Sequence, residues 1–138
     1  LDDITNDLGT AALKGLGLND FFEFAKPPEL VRRLMQWVGG KDGLYLDFFA
    51  GSGTTAQAVL EQNAEDGGNR RFILVQLPEP CPHDSVAAQN GCNTIFDICR
   101  ERVRRVIARL RDKCAPDAAL DLGYRVFRLD AGDVREVK

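Results

Sequence analysis

The sequence is poor in the residues that most often bind metal ions. It has one histidine, and its four cysteines include no C-x-x-C pair or other spacing typical of a zinc site: Cys81, Cys92, Cys99 and Cys114. Zinc sites in proteins are built from clusters of cysteine and histidine. We therefore predict no metal site, and we interpret the cysteines as reduced thiols with a structural role.

Long apolar runs are also missing from the sequence. No apolar stretch approaches the roughly 20 residues that a membrane-spanning helix needs. The first ten residues, LDDITNDLGT, have neither the basic start nor the apolar core of a secretory signal peptide. We therefore expect a cytoplasmic protein without membrane contact.

The composition is that of an ordinary globular domain, but its charge is unevenly distributed. The 138 residues are 44% apolar and 28% charged, with a net charge of −3, yet residues 93–113 are net basic. Apolar residues recur every three or four positions there, which predicts an amphipathic helix. Its arginines have two interpretations: a solvated outer face with pairs four residues apart, which is the commoner arrangement, or a surface facing phosphate groups.

Residues 44–63, LYLDFFAGSGTTAQAVLEQN, predict a strand, a glycine turn and a helix. The apolar residues fit a buried parallel strand that ends near Phe49, and Gly51 and Gly53 permit a tight turn. The helix begins at Thr54, with Ala56, Val59 and Leu60 on one face and with Gln57, Glu61 and Gln62 facing outwards. The unpaired N–H groups at the start of such a helix point at whatever lies beyond the carboxyl edge of the strand.

The rest of the chain predicts further elements on both sides of this unit. Residues 1–25 show no sustained period and are interpreted as an irregular connecting segment. Lys26-Pro27-Pro28 begins a helix that stops at Gly39, with a buried side made of Leu30, Val31, Leu34, Met35 and Val38. A buried strand at 72–77, a long loop, the basic helix and a half-exposed strand at 124–129 follow.

Strands that alternate with helices predict an α/β fold with a mostly parallel, doubly wound sheet and flanking helices. Three strands are few for a sheet that needs cover on both faces. We therefore expect this chain to be part of a larger fold.

Three interpretations compete for the glycine turn. A Walker-type phosphate loop needs a lysine after its last glycine, whereas Thr54 follows Gly53 here, so that interpretation fails. A dinucleotide fingerprint is formally possible, because Gly51-x-Gly53-x-x-Ala56 fits G-x-G-x-x-G/A, but Gln76 stands where the ribose-binding acid is expected. The third interpretation rests on a resemblance to a known family. A tight strand-to-helix connection without any ligand stays open beside all three.

The motifs around this turn resemble a known family. Asp47-Phe48-Phe49-Ala50-Gly51-Ser52-Gly53-Thr54-Thr55 resembles motif I of the S-adenosylmethionine-dependent amino-methyltransferases that modify DNA. Phe24-Ala25-Lys26-Pro27 resembles their motif X, which precedes motif I in the beta-ordered members. The stretch 67–80, the basic helix and residues 123–129 resemble the modification (Mod) subunit of type III restriction-modification systems. The resemblance covers nearly the whole chain and implies a partial Rossmann-like methyltransferase fold.

The resemblance also implies a set of residues that bind the cofactor S-adenosyl-L-methionine: Lys26, Asp47, Phe49, Ala50, Gly51, Gly53, Thr54 and Gln76. The two glycines let the backbone approach the methionine portion, Asp47 meets its positive charge, and Thr54 opens the helix that faces its carboxylate. Simpler roles stay open, since Asp47 is also suited to cap the turn, Lys26 to lie on the surface and Phe49 to fill the core.

Gln76 departs from the family pattern, because many relatives have an acid there that binds both ribose hydroxyls. An amide can bond both hydroxyls but lacks the strength of a charged acceptor. Either the cofactor binds more weakly, or Glu79 shares the role.

The catalytic D/N/S-P-P-Y/F/W element of the resembled family does not occur in this sequence. The double proline in Lys26-Pro27-Pro28-Glu29 has neither the polar acceptor before it nor the aromatic ring after it. In beta-ordered enzymes this element precedes motif X. We therefore expect residues 26–138 to be the cofactor-binding part of a longer adenine-N6 DNA methyltransferase, with no catalytic residue in this chain, which alone would be inactive.

The implied partners are DNA, reached through the full-length subunit, a restriction subunit and a second Mod subunit. Two other functions stay open. One is a cofactor-free module for protein interaction, using the basic helix and the Phe-rich N-terminal stretch. The other is a nucleotide-dependent oxidoreductase domain.

Overall fold

A computed structural model describes residues 5–114 and 120–129 of the chain. Five α-helices and two β-strands occur there: α1 (Asn6–Lys14), α2 (Pro28–Val38), β1 (Leu44–Asp47), α3 (Thr54–Asp66), β2 (Arg71–Leu74), α4 (Val86–Gln89) and α5 (Ile95–Lys113). None of these helices combines the length and the apolar character needed to cross a membrane.

The centre of the fold is the unit β1–α3–β2. The two strands run parallel, with Tyr45 opposite Phe72 and Asp47 opposite Leu74. This confirms the predicted order of strand, glycine turn, helix and parallel strand. Both strands are shorter than predicted, because β1 ends at Asp47 rather than near Phe49 and β2 ends at Leu74 rather than residue 77.

Only one face of this small sheet is covered. Tyr45 and Phe72 pack against Met35 of α2 and against α3, whereas Leu44 and Leu46 on the opposite face are about half exposed. The sequence analysis predicted a buried strand, which is wrong for this face. Parallel sheets are normally covered on both sides, so this face is incomplete within the part of the chain described.

The N-terminal segment belongs to the core, which corrects its description as irregular. Residues 6–14 form α1, and the main core contains Leu13, Leu16, Leu18, Phe21 and Ala25 together with residues of α3 and α5. The helix is short and includes Gly9, which weakened the periodic signal. A Cβ atom at Gly9 would overlap the backbone carbonyl of Ala25, so the close crossing of these two segments accounts for the glycine.

The helix predicted at 26–39 is present as α2, with Pro28 in its first turn and Gly39 at its end. Its predicted buried side is only partly correct. Met35 is buried and Leu30 and Val31 are partly buried. Leu34 and Val38 are exposed, because α2 packs on α3 along a narrow stripe and no described segment covers these two residues.

Helix α3 is buried on more than one side. Gln57 and Gln62 were predicted to face outwards, but both are buried because α2 and α5 pack against α3 from different directions. Gln62 accepts a hydrogen bond from Arg32 of α2, and Gln57 accepts one from Arg102 of α5. A sequence period cannot reveal a second covered side when the side chains there are polar.

Helix α5 confirms the predicted amphipathic helix and starts with a capping box. The Thr94 hydroxyl accepts from the Asp97 N–H, and the Asp97 carboxylate accepts from the Thr94 N–H. The last prediction is wrong, since residues 124–129 form no strand in the structure. Residues 124–127 line a cavity of about 380 Å³ together with residues of β2 and α5.

Candidate functional site

The glycine turn joins β1 to α3 through residues 48–53. The Gly53 N–H donates to the Ala50 carbonyl at 2.7 Å, and the Ala50 N–H donates to the Val75 carbonyl beyond β2 at 3.2 Å. Ala50 is buried, whereas Phe49 is 91% exposed. The turn is therefore tied to both strands at their carboxyl edge, and the interpretation of Phe49 as a core residue is wrong.

Asp47 links the end of β1 to the first turn of α3. One carboxylate oxygen accepts from the Phe49 N–H at 3.0 Å, and the other accepts from the Thr55 hydroxyl at 2.6 Å. The carboxylate therefore caps the turn. Its predicted contact with the positive charge of a ligand stays a prediction.

The two glycines of the turn have different surroundings. Both have a positive φ angle, +52° for Gly51 and +84° for Gly53, a region that L-residues rarely adopt. A Cβ atom on Gly53 would lie 3.0 Å from the Cys99 Sγ of α5, whereas a Cβ atom on Gly51 would lie 3.5 Å from the nearest atom of Phe22. Gly53 lets α5 pack against the turn, and Gly51 leaves space beside the Phe22 ring.

Lys26 comes close to the turn through its backbone. The Thr54 hydroxyl donates to the Lys26 carbonyl at 3.1 Å, so the motif X-like segment and the start of α3 are in contact although 28 residues separate them. The Lys26 side chain is exposed. A role for its ammonium group as a countercharge stays a prediction.

Gln76 also contacts the glycine turn. Its Oε1 accepts from the Gly51 N–H at 2.7 Å, and its Nε2 donates to the Leu77 carbonyl at 3.0 Å. Both ends of the amide are therefore engaged by the backbone. The family resemblance implies contacts from Gln76 to ribose hydroxyls, and these would require its side chain to exchange its present partners. The Glu79 side chain, three residues further along the chain, is exposed.

Arg102 of α5 was missed by the sequence analysis. Its side chain is fully buried beneath the turn and donates to the Ser52 Oγ at 2.7 Å, the Thr54 Oγ1 at 2.9 Å and the Gln57 Oε1 at 2.8 Å. Its Nη2 has no hydrogen-bond partner. Burial lowers the pKa of this guanidinium to about 10, which leaves it charged at neutral pH.

A signal for Arg102 was present in the sequence. The residue lies three positions after Cys99 and four before Val106, which places it on the buried face of α5. Charged side chains are seldom buried, so the sequence alone places Arg102 with the outer arginines of the helix.

The other arginines of α5 largely pair with acids. Arg104 donates to Glu101 and holds the pKa of that carboxyl at about 2, and Arg105 also donates to Glu101. Arg105 donates further to the Leu16 and Gly17 carbonyls, and Arg109 is paired with Glu61 of α3. These contacts fit the interpretation of paired arginines, with Arg105 and Arg109 joining α5 to the rest of the fold.

Chemically reactive groups are few in this region. Burial raises the pKa of the Cys99 thiol to about 11, so it is protonated and unreactive at neutral pH. The four cysteines are not joined in disulfides. In the ranges 5–114 and 120–129, no group of three or more His, Cys, Asp or Glu side chains could hold a metal ion.

The chain belongs to the DNA methylase family (N6_N4_Mtase), whose model matches residues 7–80. Those residues include all of α1 but its first residue, the Lys26 segment, the glycine turn and Gln76. A strand, a glycine turn and a helix on a parallel sheet are thus part of the matched region. The resemblance to DNA amino-methyltransferases is confirmed.

Mod subunits of type III restriction-modification enzymes are among its relatives. The chain is 40% identical over 124 residues to the StyLTI Mod subunit of Salmonella typhimurium, covering 90% of this chain and 19% of the relative. It is 38% identical over 118 residues to the EcoPI Mod subunit of Escherichia phage P1, covering 86% of this chain and 18% of the relative.

A type II methyltransferase, M.KpnI of Klebsiella pneumoniae, is 36% identical over 85 residues, or 62% of this chain and 20% of that protein. The chain thus spans about a fifth of the length of these three relatives. Within the DNA methylase family, the chain is similar to the Mod subunits of type III restriction-modification enzymes over most of its length.

Proposed function

We propose that this chain is the S-adenosylmethionine-binding part of a DNA methyltransferase subunit that modifies adenine at N6 in a type III restriction-modification system. The observation that carries the proposal is the turn with Gly51 and Gly53 at positive φ between β1 and the start of α3. It stands at the carboxyl edge of a parallel strand pair, where α/β folds bind ligands. Membership of the DNA methylase family supports it.

The methionine end of the cofactor would lie against Gly51, where a side chain is missing beside Phe22. The free N–H groups of α3 favour its carboxylate, and the exposed Lys26 ammonium adds positive charge. Asp47 favours the amino group. When bound, the cofactor supplies an activated methyl group, and the residues of this chain hold and orient it.

The adenosine end would extend towards the end of β2. There we propose that Gln76 holds the turn through Gly51 while the exposed Glu79 shares the contact with the ribose hydroxyls. The exposed ring of Phe49 is available as a wall of the pocket, beside the buried Ala50 and the helix start at Thr54. Part of the pocket would come from residues outside this chain, so we expect weak binding.

The sheet supports a proposal about the complete fold. Leu44 and Leu46 are about half exposed on the uncovered face of β1, and Trp37 of α2 is 64% exposed. We propose that the remainder of a longer subunit covers this face and completes a doubly wound, Rossmann-like methyltransferase domain. Residues 26–138 would form the cofactor-binding part, with α1 as an additional helix from the segment before it.

DNA would be bound by the longer subunit, together with a restriction subunit and a second Mod subunit. These partners are proposed from the names of the type III relatives. The same exposed apolar side chains favour one second candidate, a cofactor-free module for protein interaction.

Calorimetric titration of the chain with S-adenosylmethionine, S-adenosylhomocysteine and NAD tests the proposal. We expect heat of binding with the first two compounds and none with NAD. Binding of NAD alone would indicate an oxidoreductase domain. A folded chain, judged by a cooperative thermal transition, that binds none of the three would overturn the cofactor proposal and favour the interaction module.

A further inference from the structure

The buried side chain of Arg102 has only neutral partners among its hydrogen bonds. It donates to two hydroxyl groups and one side-chain amide, and its Nη2 donates to nothing. The nearby acid Glu61 forms its ion pair with Arg109 and makes no direct contact with Arg102. It acts on Arg102 only through space and through Gln57, whose Nε2 donates to Glu61. Fully buried arginines are usually matched by a carboxylate, so this charge is uncompensated in its contacts.

An unmatched buried charge is costly, so its presence in a fold calls for a structural or functional reason. Three neutral dipoles compensate a guanidinium less than a carboxylate does, because a carboxylate carries a full negative charge. The low dielectric of the interior extends the reach of the positive charge. A negatively charged ligand group on the other side of the turn would therefore feel it.

The charge of Arg102 lies next to the glycine turn, because two of its hydrogen-bond partners belong to the turn and to the start of α3. Ser52 and Thr54 flank Gly53, and Thr54 is the first residue of α3. The positive end of the α3 dipole and the Arg102 guanidinium thus meet at the same few residues. The Gly53 position also packs on Cys99, one helical turn before Arg102, so α5 and the turn form one packed unit.

We propose that Arg102 is a positioning residue that holds Ser52-Gly53-Thr54 and makes the turn selective for ligands carrying a carboxylate. This inference rests on the proposed function, in which that carboxylate belongs to the methionine end of the cofactor. Arg102 does not touch the ligand. It acts through the two hydroxyl side chains and through its charge.

The test compares two ligands that differ only in the carboxylate: S-adenosylhomocysteine and its decarboxylated form. Affinities are measured by calorimetry for the wild-type chain and for Arg102→Gln and Arg102→Lys. Wild type should prefer the carboxylate form. Arg102→Gln should lower that preference about tenfold, which corresponds to roughly 1.4 kcal/mol, while Arg102→Lys should keep it within about threefold.

The matched control is Arg104→Gln, which neutralises an exposed arginine two residues away on α5 and should leave the preference unchanged. If Arg102→Gln weakens both ligands equally, Arg102 only holds the turn and the inference is wrong. If Arg102→Gln does not fold, Arg102→Lys decides, because a folded lysine variant without the preference contradicts a role of the charge. Failure of wild type to bind either ligand would instead overturn the proposed function.

Discussion

Single residues in the glycine turn have separate roles although they look equivalent in the motif. Gly53 faces Cys99 of α5 at packing distance, so its missing side chain serves the contact between two elements. Gly51 faces the edge of the Phe22 ring with more space, and its N–H is held by Gln76. The ligand would therefore be admitted at Gly51, while Gly53 fixes the helix that supports the turn.

Replacement of Gly51 with valine should abolish binding of S-adenosylhomocysteine, because the branched side chain would fill the space proposed for the methionine end. Titration calorimetry measures this directly. Gly67→Val is the matched control: Gly67 ends α3 with φ of +66° and open space around it, so the backbone strain is similar but remote from the turn. Equal affinity of wild type and Gly51→Val would contradict the site.

Asp66 should make the fold sensitive to acid. Its carboxylate accepts two hydrogen bonds from the buried Arg70, which holds the pKa of Asp66 at about 2 rather than 3.8. Since the folded-state pKa is lowered, the ion pair stabilises the fold fully above about pH 4 and loses that effect as pH falls towards 2.

Asp66→Asn should therefore flatten the decline in stability between about pH 4 and pH 2, followed as the urea midpoint at each pH. The exposed Asp42→Asn serves as control and should leave the decline as it is in wild type. An unchanged profile in Asp66→Asn would show that the pair does not contribute to acid sensitivity.

At the scale of elements, the packing of α1 and α5 against other segments explains one unexpected residue in each helix. Helix α1 crosses the backbone at Ala25 where Gly9 stands, and α5 places one charged residue, Arg102, in the same buried row as its apolar side chains. In both helices the unusual residue stands at a contact with another element. Helix propensity disfavours Gly9, and the apolar row of α5 would have favoured an apolar residue in place of Arg102.

Gly9→Ala should destabilise the protein, although alanine is the better helix former by about 1 kcal/mol. The added methyl group would overlap the Ala25 carbonyl, so we expect a net loss of about 1–3 kcal/mol in the free energy of unfolding. Gly15→Ala at the end of α1 is the control, because its φ of −63° suits alanine and the methyl group has space. Urea unfolding with both variants gives the comparison, and a stabilised Gly9→Ala would contradict the crossing.

For the whole molecule, two observations support the proposal that this chain is one part of a longer subunit. The exposed apolar side chains of β1 and α2 form a surface suited to burial by further protein. The sequence contains no acceptor-Pro-Pro-aromatic element to orient a flipped base. Cofactor binding and base positioning would then reside in different parts of the subunit.

Residues 1–138 alone should not methylate DNA, even where they bind the cofactor. Orienting the base amine towards the methyl group supplies much of the rate in a transfer between two bound substrates, and no residue named here can do so. Transfer of labelled methyl groups to duplex DNA would be measured for this chain and for a longer subunit carrying the missing element. Turnover by this chain alone would place the catalytic group within it.

The sequence by itself determined the central unit, because its signals are local. An apolar run, two glycines, an apolar period and a second apolar run specify strand, turn, helix and parallel strand, and the motif at 47–55 identified the family. The start of α2 at Pro28 and the amphipathic character of α5 were equally predictable, since proline position and helical period act within a few residues.

Only the tertiary structure decided which polar residues are buried and which apolar ones are not. Gln57 and Arg102 are buried because two helices meet there, and the period of one helix does not encode its neighbour. Leu44 and Leu46 are partly exposed because no described segment covers their face. Residues 124–129 have the alternation of a strand but form none, since a strand exists only when another strand accepts its backbone hydrogen bonds.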